Sequence, residues 1–329
     1  MVTPAGLDAD STCAAMRAGV QRLRETSYRD NHARLVVGAE VREIASRRKG
    51  LPRLVDLGAP ALSEALSKAE VDDAENVALL LSVQEGARPS TDSGQVESLA
   101  GNLERAIGMT FRAGIEVDAT GSAGGIAALS RARRMLRAGG VDAVVVGGVD
   151  SLLTKPTLAW YQAQNRLKQS TNPDGIIPGE GAAFTVWRNV WPHAHVHLTG
   201  VGFEHEPAHV TAQGPNRGEG MTRALRAALG DARLSAAKVS YRISDLSGER
   251  FGFVEHALAA IRVFTSPMND CPHWHLASSI GSIGAAAGVA LLGWAAIAHQ
   301  RRYAPGPHAL CLATSDTGLR AAAILTAKD

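Results

Sequence analysis

Asp118-Ala-Thr-Gly-Ser-Ala-Gly124 and Ser278-Ser-Ile-Gly-Ser-Ile-Gly284 decide how this 329-residue chain is read, because the same order of elements follows each. Both share a Gly-Ser-x-Gly core, Gly121 to Gly124 and Gly281 to Gly284. Each opens an apolar helix, through Ile126, Leu129 and Met135 in the first and through Val289, Leu292 and Ala296 in the second. Apolar runs at 141–146 and 308–314 then read as buried strands, and β-rich runs at 182–187 and 321–326 close the two units. Glycine at such corners lets the backbone turn tightly and lets a helix approach a strand where a Cβ would intervene. A duplication of this kind predicts two similar lobes, 1–192 and 193–329, with an insertion at 151–180 in the first alone. Strands expected at 77–82, 195–201 and 239–244 alternate with helices near 58–69, 219–230 and 252–264, which makes the chain α/β.

Composition narrows the function classes. With 45% hydrophobic and 20% charged residues the chain is long enough for two ordinary cores. A net charge of +2 gives no reason to expect a nucleic-acid or membrane surface. Cys13, Cys271 and Cys311 are far apart and odd in number, which suits a reducing compartment and a cytoplasmic location rather than a disulfide frame or a zinc site. The apolar helix expected near 284–298 is too short to span a bilayer, and charged residues interrupt 1–30, so neither a membrane span nor a signal peptide is expected.

The motifs run in the order of a known family. Met1-Val-Thr-Pro-Ala-Gly6 is similar to its N-terminal Thr/Ser-Pro-x-Gly turn, and 118–121 stands at its nucleophile motif. Val145-Val-Gly-Gly-Val-Asp150 resembles the Gly-Gly-acidic turn that follows. Asp174-Gly-Ile-Ile-Pro-Gly-Glu-Gly-Ala182 resembles Asp-Gly-Phe-Val-x-Gly-Glu-Gly-Ala, the most specific match, and Ile280-Gly-Ser-Ile-Gly-Ala-Ala-Ala-Gly288 the final Gly-His-x-x-Gly-Ala-Ala-Gly. The family is that of the β-ketoacyl-carrier-protein synthases, or ketosynthases, of the thiolase-like superfamily. The resemblance implies duplicated halves in a five-layer α-β-α-β-α arrangement, a dimer through the N-terminal half, and a site between the halves. It also implies a central strand before the first turn, which this sequence does not contain.

In that family a Cys at the N-terminus of a buried helix carries the acyl chain, the helix dipole favouring its thiolate, and two His residues promote decarboxylation and condensation. The residues aligned here are Asp118 for the Cys, Asp245 for the first His and Ser282 for the second, and the family Lys falls on Ala277. Asp118 reads either as a helix N-cap or as a base. An ionised Asp245 would repel a developing enolate rather than stabilise it. Ser247 retains the means to bond a pantetheine amide, while Glu249 interrupts the second such position. Gly318 is the single glycine left in the loop, 315–320, that resembles the family's gating loop.

Other constellations were weighed. His193, His195 and His197 share a face of any strand and, with His205 or His209, suggest a metal, although alternating polar residues on a solvent face explain them as well. Gly121 to Gly124 lacks the Lys of a phosphate loop. The expectation is a ketosynthase homologue silent in condensation, without metal or cofactor, acting as a homodimer or as the partner of an active ketosynthase, with an acyl carrier protein as a further partner. Thioester hydrolysis by Asp118, Asp245 and Ser282 is the alternative, and a protein-interaction module unrelated to lipids is a third.

Overall fold

The computed structural model describes residues 1–44, 48–89, 93–264 and 271–328. In chain order the elements are α1 Ala9–Arg17, β1 Arg24–Arg29, β2 Leu35–Gly38, α2 Leu51–Lys68, β3 Val77–Ser82, α3 Ser93–Ile107, β4 Ile115–Asp118, α4 Gly124–Ala138, β5 Ala143–Ser151, α5 Lys155–Ala163 and β6 Glu180–Trp187. Then follow β7 Val196–His205, α6 Glu219–Ala232, β8 Tyr241–Ser244, α7 Arg250–Val263, β9 His273–His275, α8 Ala277–Ile280, α9 Ala286–Gln300, β10 His308–Thr314 and β11 Leu319–Ala327.

The two main sheets repeat one plan. In the first, ordered β4-β3-β5-β6, β3 runs parallel to β4 and β5 while β6 returns antiparallel to β5. In the second, ordered β7-β11-β10-β8-β9, β8 runs parallel to β9 and β10 while β11 returns antiparallel to β10. Hence β3, β4, β5 and β6 correspond to β8, β9, β10 and β11. Strands β3 and β5 are buried along their whole length, as their unbroken apolar runs require of strands covered on both faces.

Five layers result. Helix α2, with α3 against it, covers the outer face of the first sheet, and α6 with α7 covers the outer face of the second. Between the sheets lie α4 and α9, each touching strands of both. Helix α9 is apolar on every side, which suits a helix surrounded by protein. Accordingly one core cluster runs from Val144 and Val146 of β5 through Ile126, Leu129, Val289 and Leu292 to Cys311 and Ala323 of the second sheet. Among the described residues no helix is long and apolar enough to cross a membrane.

One expectation about the sheet needs correction. The strand position that the resemblance places ahead of the first turn is not a central one, because β3 and β5 pair directly and leave no gap. Its counterpart in the second half, β7, lies at the sheet edge beside β11. That position corresponds to the outer edge of β6, where, among the described residues, Val2 pairs with Ala182.

The insertion between β5 and β6 folds as α5 and a loop that packs with the β1-β2 hairpin around Val36, Leu152, Leu158, Tyr161, Leu167 and Ile176. It carries Tyr161 and Arg166 to the junction of the halves.

Candidate functional site

At that junction, past the C-terminal ends of β3, β5, β8 and β10, lies a cavity of about 70 Å³. A water occupies ~30 Å³ in the liquid, so the space suits a few waters and not an acyl chain. Its walls are polar, with Glu85, Arg88, Asp150, Tyr161, Arg166, Asp245, Glu249 and Asp316 joined by Ser122, Ser247 and Ser282. Among the described lining residues there is neither a thiol nor an imidazole.

Three of the residues singled out from sequence meet here: Asp245, Ser247 and Ser282. Asp118 does not. It ends β4, exposed, and two further residues are spent in the turn before helical structure begins at Gly121. The helix start that faces the cavity is Gly121 and not Asp118. Its φ of +69° is one that side chains rarely adopt. Moreover, a Cβ there would strike the Glu85 carboxylate, with Cδ at 2.8 Å. Glu85 fills the space into which a nucleophile would project.

Gly318 also needs correction. It does not line the cavity, and its φ of +108° serves the turn between β10 and β11, where its N–H donates to the Ser315 carbonyl at 3.1 Å. A side chain there would meet the Glu206 carbonyl at 2.8 Å. The same turn reaches across the junction: the Ala123 N–H donates to Ser315 Oγ at 3.1 Å, and Ser315 Oγ donates to the Thr120 carbonyl. A free helix amide is thereby consumed by the protein itself.

Charge in the cavity is organised around Arg166. Its guanidinium donates to both Glu249 oxygens at 2.7 and 2.8 Å and to Asp316 at 2.7 Å, while the Tyr161 hydroxyl donates to Asp316 at 3.0 Å. Burial works to raise the Asp316 pKa, yet the adjacent Arg166 charge wins and holds it below the usual carboxylate range. Glu85 accepts from the Asp316 and Thr317 N–H groups at 2.8 and 2.7 Å. Burial, reinforced by the Asp316 charge, pushes Glu85 up to about 7. Asp245 accepts from the Thr314 N–H at 2.8 Å, and burial pushes it up to about 7 as well. Ser282 is fixed through its backbone, which bonds to Ile177 and Gly179 at 2.8 Å each.

The acidic motif segments turn out to be structural. Glu180 accepts from Arg53 Nε at 3.1 Å, from the Val41 N–H at 3.0 Å and from Ser151 Oγ at 3.0 Å. Asp150 pairs with Arg88 and accepts from the Ala285 N–H at 2.9 Å, which ties β5 to the start of α9. Asp174 accepts from the Arg250 N–H at 2.6 Å, at the start of α7. The cysteines lie elsewhere: burial pushes the Cys13 thiol up to about 12 and raises those of Cys271 and Cys311. Among the described residues no three His, Cys, Asp or Glu side chains are gathered to hold a metal ion. His193, His195 and His197 instead line a groove beside β6.

Comparison with known proteins agrees with this geometry. Residues 62–189 match the family described as beta-ketoacyl synthase, N-terminal domain. A putative mitochondrial 3-oxoacyl-[acyl-carrier-protein] synthase of Schizosaccharomyces pombe is 27% identical over 190 residues, 52% of this chain and 44% of that protein. A 3-oxoacyl-[acyl-carrier-protein] synthase 2 of Staphylococcus aureus is 28% identical over 141 residues, 37% of this chain and 34% of its own length. The chain thus spans less than half the length of either relative. Among solved structures, a type II polyketide acyl-carrier protein in complex with its ketosynthase matches with a TM-score of 0.81 at 18% identity, over 100% of this chain and 97% of the other. A β-ketoacyl synthase from Burkholderia phymatum STM815 matches with 0.78 at 20% identity, and the ishigamide ketosynthase/chain length factor with 0.78 at 18%, each over 100% and 97% of the two chains. Residues 62–189 thus match the beta-ketoacyl synthase N-terminal domain, and the whole chain is built on the thiolase-like fold of the ketosynthase structures that it matches.

Proposed function

We propose that this chain is a ketosynthase-like subunit without condensing activity, a partner in fatty-acid or polyketide-type assembly that works in the cytoplasm as a dimer with itself or with an active ketosynthase. The carrying observation is at Gly121: the helix start that would bear the acyl thioester has no side chain, and the Glu85 carboxylate occupies the space beside it. Neither imidazole position helps, since Asp245 and Ser282 stand there. A carboxylate poised near neutrality cannot supply the fixed donors that enolate formation requires. Duplicated lobes at 1–192 and 193–329 would keep the scaffold while the chemistry is lost. Solved structures of the same fold that hold a carrier protein with its ketosynthase, or a ketosynthase/chain length factor, support a partner role.

Co-expression tests it. The tagged chain is expected to co-purify in stoichiometric amount with an active ketosynthase or its carrier protein from the same cell. Isolation as a lone species that releases CO₂ from a malonyl thioester would overturn the reading.

A second reading rests on Asp245 and Glu85, two carboxylates raised to about 7 that line the same cavity, which has room for a few waters. One of them, ionised, would activate a water for thioester hydrolysis beside Ser247 and Ser282. Glu85 then takes the part first assigned to Asp118. Hydrolysis of acyl-carrier thioesters lost in Asp245→Asn would favour this reading.

A further inference from the structure

Helix α7 turns an apolar face to solvent. Between Arg250 and Arg262 its only ionisable residues are Glu255 and His256, and both are buried. Glu255 accepts from Arg320 at 2.8 Å, and the His256 ring stacks on His273 of β9 with centroids 6.1 Å apart. At roughly 100° per residue the opposite arc of the helix holds Phe253, Val254, Ala257 and Ile261, with Arg250 among them. Phe253 is 48% exposed, Val254 37% and Ile261 77%, so three large apolar side chains stand in water along one helix face. A lone exposed apolar residue is ordinary, whereas a contiguous row marks an interaction surface. The corresponding helix of the other half differs: α3 carries Asn102, Glu104 and Arg105 in its last two turns.

Guanidinium groups frame this face at both ends. Arg250 stands at the start of α7; at its end Arg226 donates to the Arg262 carbonyl at 3.1 Å, while Arg262 donates to the Arg217 carbonyl and to the Thr222 hydroxyl. The two ends are roughly 18 Å apart at the rise of an α-helix. Among the described residues no carboxylate pairs with the side chain of Arg226, Arg250 or Arg262. Nearby Glu219 is taken by Arg217 and Arg223, at 4.0 and 3.8 Å. The face lies on the β9 side of its sheet, away from both ends of the chain: Met1 pairs with Glu64 of α2, and Lys328 binds the Trp191 and Pro192 carbonyls near β7, at the other edge.

We propose that α7 is a docking surface for an amphipathic α-helix of a partner protein. The apolar stripe of that helix packs on Phe253, Val254, Ala257 and Ile261, and carboxylates at its two ends pair with Arg250 and with Arg226 and Arg262. A second copy of the chain would instead bring arginines against arginines in either orientation. A flat anionic membrane would press on Asp174, exposed at the start of α7, and on exposed Glu219, whereas a single helix about 10 Å across contacts the arc alone. The surface does not depend on whether the polar cavity retains chemistry.

The test uses the full chain and a fluorescein-labelled, hydrocarbon-stapled helical peptide of about 16 residues, long enough to span both basic ends. It bears leucines along one face and glutamates at both ends of that stripe; in a counterpart peptide lysine replaces glutamate. Anisotropy is expected to show saturable binding of the glutamate peptide, at least ~10-fold tighter than that of its counterpart. Ile261→Ser and Phe253→Ser, both at exposed positions, are each expected to weaken it at least ~10-fold. Should Phe253→Ser fold poorly, Ile261→Ser decides alone. Arg226→Glu combined with Arg250→Glu is expected to reverse the preference in favour of the lysine peptide. No saturation at millimolar peptide, equal affinity for the two peptides, or binding indifferent to these substitutions would overturn the proposal. So would Ile261-dependent binding to phosphatidylcholine vesicles containing phosphatidylglycerol in place of the peptide, which would mark a membrane surface. Self-association of the chain that is lost in Ile261→Ser would mark a second copy as the occupant, and would overturn it too.

Discussion

The Glu85 carboxylate lies where any side chain on Gly121 would project. Glu85 follows β3 at the C-terminal end of the sheet and carries no motif of its own; its approach to Gly121 arises only when the turn after β10 binds it through the Asp316 and Thr317 amides. By contrast Asp245, Ser247 and Ser282 were legible, because a strand end and a glycine-rich helix start fix them in order along the chain. Asp118 lies outside the cavity for a physical reason, since strand β4 extends through it and the helix begins later. Two outcomes follow at this scale. Glu180→Ala would leave the Arg53 guanidinium buried without its carboxylate, at a cost of about 3–5 kcal/mol in denaturant unfolding. Asp245 is raised from 3.8 to about 7 on folding, so the folded state holds its proton more firmly than the unfolded state does. Its contribution is present below pH 4 and lost as pH rises through about 7. Stability measured between pH 4 and 8 is expected to fall, and Asp245→Asn to flatten that decline.

Elements were easier to read than side chains. The corresponding runs in the two halves all became strands and helices, with edges displaced by a few residues where caps and pairing decide the ends. Edge against centre was not legible, because strand order depends on which helix crosses which face rather than on local pattern. The contact of the two central helices is the element-level feature most open to test. A side chain on Gly288 of α9 would strike the Ser122 carbonyl just before α4, with Ile126 in ordinary contact at 3.5 Å. Gly288→Val is expected to lose about 1–3 kcal/mol of stability, with circular dichroism still showing an α/β fold. Unchanged stability would mean the helices slide apart more freely than their packing implies.

Across the whole molecule, two copies of one sheet plan enclose α4 and α9, and the cavity forms where the strand ends of both halves converge. The duplication was present in the repeat of Gly-Ser-x-Gly corners, whereas the layering and a site between the halves were expected only from the family resemblance. What the repeat did not reveal is how completely the junction is filled by its own charges: Arg166 between Glu249 and Asp316, Arg88 on Asp150, Glu85 against Gly121. The ion pairs join residues more than 60 positions apart, and Glu85 meets Gly121 across 36, so no local spacing records them. Intact-mass spectrometry of the purified chain, incubated with acyl- and malonyl-carrier thioesters, addresses this filling most directly. An unmodified mass with no CO₂ released is the expected result, and Gly121→Cys alone is expected to leave it unchanged while Glu85 remains. A stable acyl adduct on the natural chain, or condensed product, would contradict the account.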